Sequence, residues 1–123
     1  MSTWEDRTLT EDVLANAVED WVYAGWVHQI ARRSGLTDPA GLRALAIGLM
    51  AELLVRGLVV GGEYDGETHR PWDCSVGEAV VRIAEDWQAW GDTVPTPGAV
   101  VWLDLTPAGR EIGEAVLARE IVE

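Results

Sequence analysis

The chain has no lysine, so every dependable positive charge is one of nine arginines, set against 21 aspartates and glutamates for a net charge of −12. Sequence-independent DNA binding rests on neutralising phosphates with Lys and Arg, and this balance disfavours it. It favours solubility or a basic partner. One cysteine, Cys74, cannot form an internal disulfide. The N-terminus also lacks the basic-then-apolar layout of a signal peptide, so a reducing cytoplasm is the expected compartment. The most apolar run, residues 44–60, carries Glu52 and Arg56. It stops short of the roughly 20 apolar residues a membrane span requires, and no membrane partner is expected. Repeats and low-complexity tracts are absent.

Catalytic groupings are scarce as well. A nucleophile needs a base and an orienting group within hydrogen-bond reach, and Cys74, His28, His69 and scattered serines make no such arrangement. Cys74 lies only five residues from His69, a spacing read as accidental, and His28 reads as a core or boundary residue. No enzymatic activity is expected. Glu63, Asp65 and Glu67 alternate in a glycine-containing stretch, and hard cations prefer carboxylate oxygens. The twelve-residue calcium-loop pattern is missing, so a solvated acidic loop is the preferred reading. No metal and no cofactor is expected.

What is present is 48% apolar residues in 123, enough for one domain with a real core and too little for two. The most informative stretch is residues 40–56. Leu42, Leu45, Ala46, Leu49 and Leu53 recur at helical spacing, and Ile47, Met50, Leu54 and Val55 make the neighbouring faces apolar too. A helix apolar almost all round is a buried one. Asp38 serves as N-cap, Pro39 fits the first turn and Gly57 the left-handed C′ position.

Residues 1–8 are polar and expected to fray. Thr8 with Glu11 fits a capping box, with Thr10 as the rival N-cap, and Leu14, Ala17, Val18, Trp21 and Val22 make one helical face. The pattern continues through Trp26 and Ile30 with a bend or break expected near Gly25. Arg32, Arg33 and Gly35 end the second piece. Leu58, Val59 and Val60 read as a short strand, and residues 61–71 as a turn or mobile loop. Ser75 and Glu78 open a helix whose stripe is Val76, Val80, Ile83, Trp87 and Trp90, ended by Gly91. Residues 99–105 form a second strand, most naturally paired with residues 58–60. Thr106-Pro107 starts a last helix that turns Ile112, Ala115 and Val116 inward. The expected class is mainly α with a small β-sheet, in the order α-α-α-β-α-β-α.

Three stretches carry a likeness: Val27-His28-Gln29-Ile30-Ala31-Arg32-Arg33-Ser34-Gly35, then Leu53-Leu54-Val55-Arg56-Gly57-Leu58-Val59, then Trp102-Leu103-Asp104-Leu105-Thr106-Pro107-Ala108-Gly109-Arg110. Together, over roughly residues 10–120, the chain resembles winged-helix proteins. The resemblance implies that the residues after the third helix enter the wing, and that residues 40–56 correspond to the family's DNA-reading helix. Two departures stand out. Residues 61–98 would be an insertion bearing a whole helix, against the two to five residues of usual hairpin loops. Base reading also needs side chains such as Arg, Asn or Gln, and residues 40–56 offer only Arg43, Glu52 and Arg56 as charges. The remaining face of Ala44, Gly48, Ala51 and Val55 is small and apolar, which suits close packing against another helix or a second chain, so a dimer is a possible state.

Of seven tryptophans, Trp21, Trp26, Trp87 and Trp90 fall on helical stripes and are expected in the core, and Trp102 belongs to a strand. Trp4 and Trp72 lie in loop-like surroundings. Each is expected to fold onto its own domain more readily than to serve as a binding anchor. Glu63, Asp65, Glu67, Asp73, Glu85, Asp86 and Asp92 cluster on or beside the insertion. The expected function is therefore an acidic module that binds a basic protein, with Glu63, Asp65, Glu67, Trp72, Asp73, Glu85 and Asp86 as the contact set. An immunity protein or antitoxin blocking a nuclease follows this logic. The alternative is a winged-helix DNA-binding regulator, which requires Arg32, Arg33, Arg43 and Arg70 to form one patch. A third reading, a small-molecule sensor, requires a tryptophan-lined pocket.

Overall fold

The long apolar helix is capped as its sequence demands and sits at the centre of the fold. In the computed structural model, which describes residues 2–121, it runs Pro39–Val55. The element order is α1 (Leu9–Glu19), β1 (Val22–Tyr23), α2 (Ala24–Ala31), α3 (Pro39–Val55), β2 (Val59–Tyr64), β3 (His69–Pro71), α4 (Val76–Gln88), β4 (Trp102–Leu105) and α5 (Pro107–Arg119). This is a mainly α fold with a small four-stranded antiparallel sheet. No helix among the described residues is long and apolar enough to cross a membrane.

The Asp38 carboxylate accepts from Gly41 N–H at 2.8 Å. At the other end Gly57 takes φ 72°, and Leu58 N–H donates to the Leu53 carbonyl at 3.0 Å, which satisfies the last carbonyls of α3. Leu42, Ala46, Met50, Leu53 and Leu54 are buried. The helix is not buried all round, however. Ala44, Gly48 and Val55 face solvent, because α2 and α4 cover its other sides and nothing packs on this one.

The first break in the chain falls earlier than Gly25. α1 stops at Glu19, and residues 22–23 leave the helix to pair with β4. Gly25 instead lies buried in the first turn of α2, where a Cβ would collide with the Pro95 carbonyl that crosses over it. The break resets the helical phase, so Trp26 is 41% exposed and Trp21 only half-buried, and neither joins the core. Trp87 does join it, and Trp90 packs at its margin.

The sheet order is β1-β4-β2-β3. The expected pairing of the two predicted strands is present, with Val59 opposite Leu105 and Val60 opposite Asp104. Residues 61–71 are not a loop. β2 continues to Tyr64, and β3 folds back with Tyr64 opposite His69. Only residues 65–68 turn, and there Asp65 Oδ1 accepts from the N–H groups of Glu67 and Thr68, both at 2.9 Å. Gly61 and Gly62 mark close approaches rather than a chain break: both are buried, and the Trp72 and His69 rings pass over them. The expected order thus lacked β1 and β3.

α4 is capped by Ser75, which accepts from Glu78 N–H at 3.1 Å, and buries Ala79, Ile83 and Trp87. Val76, in the first turn of α4, is exposed. α5 begins at Thr106, whose hydroxyl accepts from Gly109 N–H at 3.1 Å and donates to the Gly57 carbonyl at 2.7 Å. It buries Gly109, Gly113 and Val116, and Ala115 points outward, contrary to expectation. The glycines are inward because α5 lies almost against α1. A Cβ on Gly113 would stand 2.7 Å from both the Leu14 carbonyl oxygen and Val18 Cγ2.

An ion-pair network closes the same end of the molecule. Asp12, only 5% exposed, accepts from Arg7 Nη1 at 2.9 Å, Arg33 Nη1 at 2.8 Å and Asn16 Nδ2 at 2.9 Å. Arg7 also grips Glu120 with two bonds of 2.7 Å. The N-terminal segment expected to fray is therefore tied to α1 and to the end of α5, and Thr3 caps a short turn at Trp4–Asp6. Beside this network Arg119 clasps Glu11 at 2.7 and 2.8 Å.

Asp12→Asn leaves two guanidinium groups without their shared carboxylate, and a broken buried pair costs about 3–5 kcal/mol. Chemical denaturation should show a loss of roughly 3 kcal/mol, allowing for the partial exposure of Arg33, whereas the exposed Glu111→Gln stays within about 0.5 kcal/mol. Gly113→Ala gains about 1 kcal/mol in helix propensity but forces α1 and α5 apart at a typical overpacking cost of about 1–3 kcal/mol, so thermal denaturation should fall at a lower temperature.

The Arg119 guanidinium, helped by Thr8 N–H, holds the Glu11 carboxyl down at about 2. A carboxylate whose folded pKa is depressed stabilises the fold above its unfolded value, near 4.5, and that stability is lost as pH falls toward 2. Glu11→Gln should be less stable than the native chain at pH 7, by up to about 1 kcal/mol for so exposed a pair. The difference should shrink as pH falls from about 5 toward 2 in denaturation curves taken across this range.

Candidate functional site

The period of a β-strand is two, so burying one residue aims the next at the opposite face. In β4 Leu103 is fully buried, opposite Val22 of β1 and Gly61 of β2. Trp102 therefore faces out, opposite Tyr23 and Gly62. Tyr64 and His69 continue the same outer face on β2 and β3, and Trp21, one step before β1, shares it. The result is an aromatic layer on the side of the sheet away from the core.

The rings touch in sequence. Trp21 lies 6.4 Å from Trp102 at 67°, Trp102 lies 5.4 Å from Tyr23 at 70°, and Tyr23 lies 6.5 Å from Trp26 at 54°. Trp21 also meets Tyr64 at 5.5 Å and His69 at 5.8 Å. His69 is buried, and its Nε2 donates to the Trp102 carbonyl at 2.9 Å, which fixes both the tautomer and the ring. Immediately before β4, Val101 N–H donates to the Ala99 carbonyl across Val100, whose φ is 72°. A β-branched residue held left-handed is strained, and it sits two residues from the central tryptophan.

Between the end of α1 and this layer runs a groove of about 280 Å³ lined by Asn16, Glu19, Asp20, Trp21, Tyr23, Trp26 and Trp102. Asn16 Nδ2 is occupied by Asp12, which leaves its Oδ1 available as an acceptor. Among the described residues Asp20 accepts only from Trp21 N–H, through Oδ1. Among the described residues neither Glu19 nor Asp20 has an arginine within ion-pair distance. The groove thus offers aromatic faces and acceptors.

The carboxylates expected to form the contact set lie on the hairpin β2–β3 and on α4, and several of them are already paired. Glu63 accepts from Arg82 at 2.9 Å, with Asp86 3.9 Å from the same guanidinium. Asp65 is bound by Arg70 at 2.9 Å, and its own turn amides, then Arg70, hold its carboxyl at about 2. Glu67, Asp73 and Glu85 are exposed and have no cationic partner among the described residues. Trp72 folds inward over Gly61, and the Arg82 guanidinium stacks 4.0 Å above its ring. Trp4 stays exposed, with Arg33 at 5.3 Å.

The four arginines of the nucleic-acid reading are not gathered by bonding. Arg33 serves Asp12 and the carbonyls of Glu5 and Arg7, Arg43 donates to the Gly91 carbonyl at 2.8 Å, and Arg70 holds the hairpin turn. Arg32 is exposed at the end of α2. It and burial together push His28 below its ordinary pKa, with burial the larger cause. Among the described residues no three His, Cys, Asp or Glu side chains converge as a metal site would require, and Cys74 is exposed.

The aromatic groove was hidden because Trp21 and Trp26 were assigned to a helical core face. The alternation Trp21-Val22-Tyr23, aromatic outward with Val22 inward, is the signal of a strand. Comparison of the chain with protein-family models, with characterised proteins and with solved structures gives no match.

Proposed function

We propose that the protein is a non-enzymatic binding module of winged-helix type that holds a basic protein against its carboxylate surface. The observation that carries this reading is the charge of residues 61–98, where eight carboxylates stand with two arginines, half of the chain's net −12. Both arginines are tied to acids of the same segment, Arg70 to Asp65 and Arg82 to Glu63. The cations are thus satisfied internally, and Glu67, Asp73, Glu85 and Asp92 are left to face a partner. Such a surface steers a basic protein inward and repels phosphate. A nuclease, whose cleft must attract polyanions, is the kind of partner it fits, and an immunity-type or antitoxin-type inhibitor is the role.

The winged-helix part of the proposal is supported by the chain path. β2 follows α3 directly, and β4 is its antiparallel partner, with β3 and α4 set between them as an insertion. The helix placed to read bases in that family shows solvent Ala44, Gly48 and Val55, and α4 packs beside it. Apolar groups of this size cannot discriminate base edges by hydrogen bonding.

The basic protein retained by the purified chain from an extract of its own cell should associate more slowly, by at least about tenfold, when salt rises from low to physiological levels. In the triple variant Glu67→Gln/Asp73→Asn/Glu85→Gln, association should be slow at both salts in stopped-flow traces. Unchanged kinetics in that variant overturn the reading. Saturable binding of duplex DNA that is lost in Arg32→Ala/Arg43→Ala would put a gene regulator in its place.

A further inference from the structure

Given the basic-partner reading above, on which this step rests, we infer that the aromatic groove beside β1 is the seat for one lysine side chain of that partner. Four rings line it, Trp21, Tyr23, Trp26 and Trp102, and the carboxylates of Glu19 and Asp20 stand at the end of α1 beside them. Aromatic faces carry negative potential and attract cations, most strongly where water is partly excluded. The carboxylates add full charges that no arginine among the described residues neutralises.

Volume limits the occupant. At about 280 Å³ the groove has room for a single side chain. Ring orientation then selects the cation. A planar guanidinium prefers to stack flat against an aromatic face. Here neighbouring rings are tilted to one another at 67°, 70° and 54°, so they offer no parallel-sided slot. A compact ammonium needs no such slot and approaches any exposed ring face as a point charge.

Donor and acceptor counts agree. An ammonium carries three donors and no acceptor. The groove presents acceptors of three residues, Glu19, Asp20 and the free Oδ1 of Asn16. Its apolar ring surface matches a lysine's four-carbon stem, which packs against apolar walls while its head stays polar. The chain itself has no lysine, so no side chain of its own competes for the seat.

The test is a titration of the full ¹⁵N-labelled chain, followed by its seven indole N–H signals and its backbone amides, with capped tetralysine, capped tetraarginine and tetramethylammonium chloride at matched ionic strength. Tetralysine should shift the Trp21, Trp26 and Trp102 signals saturably, and bind more tightly than tetraarginine. Tetramethylammonium, which lacks donors and a peptide, should be weaker than either. Trp26→Ala removes a ring that is 41% exposed and so spares the core, and it should weaken tetralysine binding by about tenfold. Glu19→Gln/Asp20→Asn should do the same, and the exposed Glu111→Gln should leave the groove shifts in place. Equal binding of tetraarginine and tetralysine, or groove signals indifferent to both Trp26→Ala and Glu19→Gln/Asp20→Asn, overturns the assignment. If tetralysine moves only amides of residues 61–98, the groove is excluded and the basic-partner reading stands; if no oligocation binds anywhere, both fall.

Discussion

The register of β4 is the constraint from which both the core and the candidate site follow. Leu103 must be inside, because it sits between Val22 and Gly61 at the point where the sheet meets the helices. Burying a leucine is worth about 1.5–3 kcal/mol, and a slip of one residue would expose it and turn Trp102 inward. The strand is pinned at both ends against such a slip. Ahead of it, the tight turn through Val100 sets the entry. After it, Thr106 N–H donates to the Leu58 carbonyl at 3.1 Å, and its hydroxyl donates to Gly57. With Leu103 fixed inward, Trp102 and Tyr23 have no choice but to face outward.

The second organising fact is where the arginines go. Arg7, Arg33 and Arg119 bind Asp12, Glu120 and Glu11, joining the N-terminal segment, α1 and the end of α5. Arg70 and Arg82 brace the hairpin and α4 in the same way. A chain with only nine cations that commits so many to internal bonds displays mostly carboxylate outside. For a winged-helix scaffold that would meet DNA this is a poor arrangement, since phosphate contacts need mobile, accessible cations. For a scaffold that meets a basic protein it is a favourable one.

Much of this was legible before any coordinates. Capping residues located α3, α4 and α5 to within a residue or two, because Asp38, Ser75 and Thr106 bond to backbone N–H groups in any surroundings. The pairing of the two apolar strands was legible too, since β-branched runs need a ladder. The hairpin was not. Gly61 and Gly62 weaken a strand taken alone, and their purpose appears only when the Trp72 and His69 rings lie across them. Trp21 and Trp26 were misplaced for a related reason: a strand of two residues leaves no periodicity to detect, so helical phase was carried through a break. The site stayed hidden because the same tryptophans were counted as core.

The hairpin that the insertion adds also supports the groove. Tyr64 and His69 belong to the hairpin that residues 61–98 add, and both lean on Trp21, the ring at one end of the groove. His69 is bonded through Nε2 to the backbone of Trp102, the ring at the groove's centre. Without the hairpin, Trp21 would lose the side support that holds its indole against the sheet, and β4 would lose a side-chain tie at the residue where its outward face begins. The segment that brings half the net charge therefore also sets the aromatic layer in place. On the proposed reading, a basic partner drawn to this acidic segment would find the rings of the outer sheet face already ordered by their contacts with Tyr64 and His69.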